Sequence, residues 1–344
     1  MFRDLASSRR VKLGLIAVTL GFCGYGLFTQ RAEVAAALHH LEWYSIAGAT
    51  AAALAALACV MLSWRALLAD LGSALPISPA IRILFIAQLG KYVPGAVWAA
   101  AAQVELAREY EIPRRRTASA AVVSMLVSLA TGLLVAAVTL PLSSGDAARR
   151  YWWALALALP SLLGLYPPLT SFVLNRALRL ARRPPLERQI GTAGMVRAVS
   201  WSLLGWVFFS VQAWLLVVGV TGKGLQVLPL AAGAYALAWS VGFILVPFPG
   251  GVGPRELALI AALAPIMPSG SAIVVAVISR LVMTIADLAW AAVAFVLGYW
   301  TWRPRSGRPS DRLPALAEPG PDSSRVTSPL GDGHSESQYS NRTS

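Results

Sequence analysis

Long apolar stretches separated by short polar clusters dominate the chain. Stretches at about 13–29, 44–63, 117–141, 151–174, 199–220, 228–247 and 271–300 are rich in Ala, Leu and Val without period-two alternation. A bilayer core about 30 Å thick needs roughly 20 helical residues per crossing. The missing alternation disfavours a β-barrel. The pattern therefore predicts an all-α, polytopic membrane bundle of about six to eight spans. From Pro304 onward the chain turns to Pro, Ser, Gly, Asp and Arg. Residues 1–303 are read as the transmembrane domain and 304–344 as a disordered cytoplasmic tail, with no soluble catalytic domain expected at either end.

Two apolar stretches are interrupted in an unusual way. Residues 84–103 read LFIAQLGKYVPGAVWAAAAQ. Pro94 removes a backbone donor and clashes with the preceding turn, Val93 is pushed out of the α region, and Gly95 tolerates almost any backbone angle. The second interruption, Pro247-Phe248-Pro249-Gly250-Gly251-Val252-Gly253-Pro254-Arg255-Glu256, is denser. Parity also calls for a broken segment. Seven full spans starting inside leave the basic C-terminal end outside. Six full spans with re-entrant hairpins at 81–108 and 228–264, entering from opposite faces, return it inside. An eighth crossing through 250–268 does the same. Residues 81–141 and 228–300 then each give a broken hairpin followed by a long span, the plan of an inverted repeat, in which broken helices meet at mid-membrane. Residue-level internal symmetry is weak.

Composition strengthens the membrane reading. The chain is 57% hydrophobic and 13% charged, too apolar for a soluble domain. Its net charge of +13 suggests nucleic acid at first sight. The basic residues fall instead in alternate loops: Arg3, Arg9, Arg10 and Lys12, then Arg114–Arg116, then Arg176–Arg197, then Arg303–Arg312. That asymmetry is the cytoplasmic bias of membrane proteins and places both termini in the cytoplasm. Anionic lipid headgroups are a secondary partner, and nucleic acid is not expected. Cys23 and Cys59 sit inside apolar spans and support neither a disulfide nor a metal site. The first span lacks a clear cleavage site and reads as a membrane anchor.

The candidate chemistry gathers at the two interruptions. Non-helical backbone at membrane depth survives only when buried in protein or lining a wet cavity. A lysine at the centre of a membrane helix costs about 2.5–3.5 kcal/mol. Gln88, Gly90, Lys91, Pro94 and Gly95 thus suggest one arm of a polar cavity that holds an anion; the plainer reading is a lysine snorkelling to water from a packing kink. Gly250, Gly251, Gly253, Arg255 and Glu256 suggest the other arm. There Pro254 opens a helix whose N-terminus, with an adjacent arginine, is an anion site. Glu256 is expected to pair with Arg280 or Lys91. Arg280 and Asp287, two turns apart, share a face of the last span with Thr284 and form either a structural clasp or part of a pathway. Ser124, Ser128 and Thr131 form a small polar stripe suited to close helix packing. Trp43, Trp152, Trp153, Trp300 and Trp302 read as interfacial anchors. His39, His40 and His334 have no companion nucleophile or metal ligands. No DxD sequence, P-loop, cofactor motif or metal set is read from the chain.

QLGKYVPGAVW at 88–98 and PFPGGVGPRE at 247–256 resemble the two signature segments of the lysylphosphatidylglycerol synthase membrane domain and its stand-alone, flippase-like relatives. The resemblance covers roughly residues 10–300. It implies Gly90, Lys91, Pro94 and Gly95 on one side of a substrate cavity, Gly250, Gly251, Arg255 and Glu256 on the other, and Arg280 in the last long helix. Fused members couple an aminoacyl transferase to a domain that moves the lipid product between leaflets. No transferase is read in this chain, so aminoacylation is not carried over. Where many relatives show a Glu-Arg pair after the first motif, this chain has Val123-Ser124-Met125-Leu126. The expectation is a bacterial inner-membrane lipid translocase, not an enzyme, that binds an anionic phospholipid or a polyprenyl-linked or glycolipid headgroup. The alternative is a non-transporting accessory subunit of a lipid-modifying or glycosyltransferase system.

Overall fold

The computed structural model describes residues 42–92, 98–143, 152–180, 188–244 and 253–301. Among the described residues the fold is entirely helical. Four long helices frame it: α1 (Trp43–Asp70), α4 (Arg114–Ser143), α7 (Thr192–Thr221) and α10 (Ser269–Thr301). Between them lie α2 (Ile77–Gln88), α3 (Trp98–Arg108), α5 (Trp152–Leu163), α6 (Pro167–Leu180), α8 (Leu228–Ile244) and α9 (Pro254–Leu263). Helices α1, α4, α7 and α10 and the segment Leu225–Ile244 are each long and apolar enough to cross a membrane. The chain is a polytopic helical membrane protein. The expected first span at 13–29, His39, His40, Trp302 and the tail at 304–344 lie outside the described residues.

Helix α1 lies against α7 along its length, and the two run antiparallel. Gly48 of α1 meets Leu215, Cys59 meets Gly205, Ser63 donates from Oγ to the Ala198 carbonyl at 2.9 Å, and Asp70 accepts from the Gly191 amide at 2.5 Å. Small residues along this seam let the backbones approach closely, which drives helix association where lipid removes the hydrophobic advantage. Because α2 follows the end of α1 and α8 follows the end of α7, the next elements start from opposite ends of the bundle.

Both broken segments are hairpins. In the first, Arg82 near the start of α2 donates to the Tyr110 hydroxyl at 3.1 Å and pairs with Glu109 at 2.9 Å, just beyond α3. The arms touch near the tip as well: a β-carbon on Gly90 would stand 2.8 Å from the Ala99 nitrogen, so only glycine fits. In the second, the Lys223 ammonium donates to the Ile266 carbonyl at 2.9 Å and closes the base. Arg255 at the start of α9 reaches back to Tyr235 on α8. Residues 228–264 therefore return to the end they entered from, which decides against an eighth crossing. The tip residues at 93–97 and 245–252, including Pro94, Gly95, Gly250 and Gly251, lie outside the described residues.

The long helix that follows each hairpin packs on the hairpin of the other half: α10 on α2, α4 on α8. Phe85 stacks on Trp290 with centroids 4.6 Å apart, and Trp290 donates to the Leu54 carbonyl at 3.0 Å, tying α2, α10 and α1 together. Exchanging α1–α4 for α7–α10 leaves this packing scheme unchanged, as an inverted repeat requires. A single shift of 155 residues also carries Pro94-Gly95 onto Pro249-Gly250 and Pro113, just before α4, onto Pro268, just before α10. On the polar stripe of α4, Thr131 makes the close helix contact expected there. Thr131 Oγ1 lies 2.8 Å from Ser202 Oγ and accepts from Trp206 Nε1 at 3.1 Å.

One span differs from expectation. Residues 151–174 are not a continuous helix but α5 and α6, parted at 164–166. Pro167 and Pro168 offer no amide to a preceding turn, and the Thr170 hydroxyl takes the freed Gly164 carbonyl at 2.6 Å.

Candidate functional site

The first hairpin's α2 tightens into a 3₁₀ turn over Leu89–Tyr92 before its break. That turn carries Lys91 toward α10, where its ammonium meets Asp287 Oδ2 at 2.5 Å. In the second hairpin, Gly253 adopts φ +96°, a conformation closed to most side chains, and α9 starts at Pro254. Glu256 then curls back so that its Oε2 accepts from the Gly253 amide at 2.6 Å, satisfying one orphan donor of the helix start. Its other oxygen, Oε1, takes the Arg280 Nε at 3.1 Å. Of the two partners expected for Glu256, the structure selects Arg280.

Arg280 and Asp287 do share one face of α10, yet each reaches a different hairpin. Asp287 holds the first and Arg280 the second, so the last long helix clasps both. Arg255, one residue before Glu256, points elsewhere. It donates from Nη2 to the Tyr235 hydroxyl at 2.7 Å, and its guanidinium carbon lies 5.1 Å from the centre of that ring. Both Arg255 and Arg280 are near enough to Lys91 to repel its ammonium through space. Lys91, Arg255, Arg280, Glu256 and Asp287 thus form one cluster of three cations and two carboxylates. The Asp287 side chain is 1% exposed, whereas Lys91 and Arg280 each keep 31%. The cluster is rooted in the bundle and open on its cationic side.

Gln88 ends α2 half-buried, and among the described residues no hydrogen bond joins it to the cluster. Tyr235, which orients Arg255, is a site residue that sequence reasoning missed; a hydroxyl in the middle of the otherwise apolar run LAAGAYALAW was its signal. Gln212 was missed too. It is fully buried on α7 and donates to Ser279 of α10 at 3.3 Å, while its Oε1 has no hydrogen-bond partner among the described residues. A cavity of about 590 Å³ lies outside the cluster, toward the base of the first hairpin, lined by Ile86, Ala102, Glu105, Leu106, Arg108 and Glu109.

The family model described as the lysylphosphatidylglycerol synthase TM region matches residues 11–317. The chain belongs to that family. A search of the curated proteins finds no match. As a lysylphosphatidylglycerol synthase transmembrane-region protein, it is a membrane protein of lipid-related processes, and the matched region contains both hairpins and all five residues of the cluster. It also runs past residue 303, where the change in composition set the edge of the domain.

Proposed function

We propose that this protein is a lipid translocase that binds the phosphate of an anionic phospholipid, or of a polyprenyl-linked or glycolipid headgroup, where the two hairpins meet. The observation that carries this reading is the charge count of the cluster: three cations against two carboxylates, with Arg255 held by a tyrosine rather than an acid. A single excess positive charge at membrane depth is costly unless an anion completes it. The start of α9 adds backbone donors and a favourable dipole, and a guanidinium offers a fork suited to phosphate. Exposure of Lys91 and Arg280 supports a groove reached from the side, as a lipid with its tails in the bilayer requires.

On this reading the bulk of the protein positions and moves lipid without covalent chemistry. The Arg-rich end, where Arg82, Arg114 and Arg116 gather, faces the cytoplasm of a bacterial inner membrane, and both termini lie on that side. Anionic lipid is the partner in the membrane, and a lipid-modifying enzyme or glycosyltransferase is the partner that supplies or consumes it.

The test is leaflet exchange of fluorescent anionic lipids in proteoliposomes, comparing wild type with Lys91→Ala and Arg255→Ala after each is shown to fold. The expected result is exchange above empty vesicles in wild type that both variants lose. A folded wild type that exchanges none of the anionic phospholipids or polyprenyl phosphates offered turns the reading toward an accessory subunit.

A further inference from the structure

Helix α10 presents two faces along the stretch where it meets the hairpins. Arg280, Thr284 and Asp287 share one, with the Thr284 hydroxyl turned back to the Arg280 carbonyl at 2.9 Å. Leu281, Ile285 and Leu288 each follow one of these by a single position, so they form an adjoining face at the same depth. All three are more than half exposed. The partly exposed cations Arg280 and Lys91 stand at the two ends of this apolar lane. Arg280 precedes Leu281, and Lys91 meets Asp287, which precedes Leu288. The two points lie seven positions apart, about 10 Å along a helix axis.

The first half has no such open lane at the matching place. Under the shift of 155 residues, Leu133 and Ala137 of α4 correspond to Leu288 and Ala292 of α10. Leu133 and Ala137 are buried against Ala158 of α5, whereas Leu288 and Ala292 are exposed. The open flank thus falls on the helix that carries the ion pairs. Helix α7 shows the ordinary case: Leu204 and Val207 are exposed within a run free of charged residues. Charged side chains at membrane depth normally face protein or a wet cavity. Cations left partly open along the edge of an apolar lane suit an amphiphile that brings both an anion and a tail.

We propose that an acyl chain of the anionic lipid runs along Leu281, Ile285 and Leu288 while its phosphate is held at Arg280 or Lys91. The occupant is the tail of the lipid whose headgroup fills the cluster, so this rests on the anion-binding reading above. The tails stay in the bilayer throughout, and only the headgroup passes over the charged face. Two cations about 10 Å apart give it two stations across the middle of a core about 30 Å thick.

The experiment is photolabelling of the full-length protein in phosphatidylcholine nanodiscs. The probes are phosphatidylglycerol and phosphatidylcholine, each carrying a diazirine midway along one acyl chain, and labelled residues are mapped by peptide mass spectrometry. Labelling of 281–288, normalised to Leu204 and Val207 of α7, is expected to be several-fold greater for phosphatidylglycerol than for phosphatidylcholine. Arg255→Ala, which leaves the lane intact, is expected to remove that excess. Selective retention of phosphatidylglycerol in native mass spectrometry, with no excess at 281–288, overturns the inference and leaves the anion site standing. An excess confined to Val122, Met125 and Leu126 of α4, or one unchanged in Arg255→Ala, also overturns it. Failure of both probes to reach 281–288 shows the lane covered by protein and overturns it as well. No selective retention and no excess labelling on any helix removes the anion-binding reading, and the inference with it.

Discussion

The two halves of this protein share a scaffold and differ in their chemistry. Each has a long helix, a hairpin whose two arms flank a Pro-Gly step in the sequence, and a second long helix that packs on the opposite hairpin. Under the shift of 155 residues, Arg255 and Glu256 correspond to Ala100 and Ala101 of the first half, and Arg280 and Asp287 to Met125 and Gly132. Lys91 corresponds to Val246. None of the five charges is duplicated. The fourth helix meets the second hairpin in a close approach at Gly233 and turns its hydroxyl stripe to α7, whereas the tenth secures both hairpins with ion pairs. The comparison teaches that the frame is repeated and the charges are not; on the proposed reading the repeated frame would serve movement and the single charged wall recognition.

Breaking the charged wall is expected to have the largest effect. Lys91→Met leaves Asp287 buried without its ammonium, and loss of one partner of a buried pair costs about 3–5 kcal/mol. The lower end applies here because Lys91 is partly exposed. Thermal unfolding in detergent checks this, and the double variant Lys91→Met with Asp287→Leu should recover most of the loss. Breaking the apolar wall comes next. Gly233 faces Leu140 and Thr139 where α8 meets α4, with no room for a side chain. Gly233→Val is expected to cost about 1–3 kcal/mol by overpacking, lowering the midpoint of the same unfolding curve without altering the charges.

Two smaller changes sharpen the comparison. Tyr235→Phe keeps the ring beneath Arg255 and removes its hydrogen bond, a loss of about 1.5–3 kcal/mol for a charged donor. Phosphatidylglycerol affinity should fall several-fold while the fold persists. Glu105→Gln, toward the base of the first hairpin, disrupts an exposed pair with Arg108 at 2.6 Å and is worth less than about 1 kcal/mol. Unchanged unfolding and unchanged lipid exchange are expected there.

Much of the fold was legible because apolar runs of membrane length have few alternatives, and because Pro94-Gly95 and the Pro247–Pro254 segment cannot continue a helix. The split of 151–174 was written in Pro167-Pro168, but the hydropathy of its flanks hid it. The constant shift between the halves escaped notice because it preserves a Pro-Gly step and a helix-leading proline rather than any chemistry. At the site, the five charged residues were legible as candidates and their full pairing was not. Arg280 with Glu256 stood among the options, since both sit near the second break. Lys91 with Asp287 depends on α2 packing against α10, a contact between residues 196 positions apart that no local pattern encodes. Tyr235 was invisible for another reason: a tyrosine in an apolar helix reads as packing until its hydroxyl is seen to hold Arg255.

The account turns on Arg255 as the cation left for a ligand, and lipid selection tests it most directly. Native mass spectrometry of wild type and Arg255→Ala, each offered equal amounts of phosphatidylglycerol and phosphatidylcholine, reads that selection without requiring transport. Preferential retention of phosphatidylglycerol by wild type, lost in Arg255→Ala, is the predicted result. Equal retention of the two lipids by wild type, or a preference unchanged by the substitution, would contradict it.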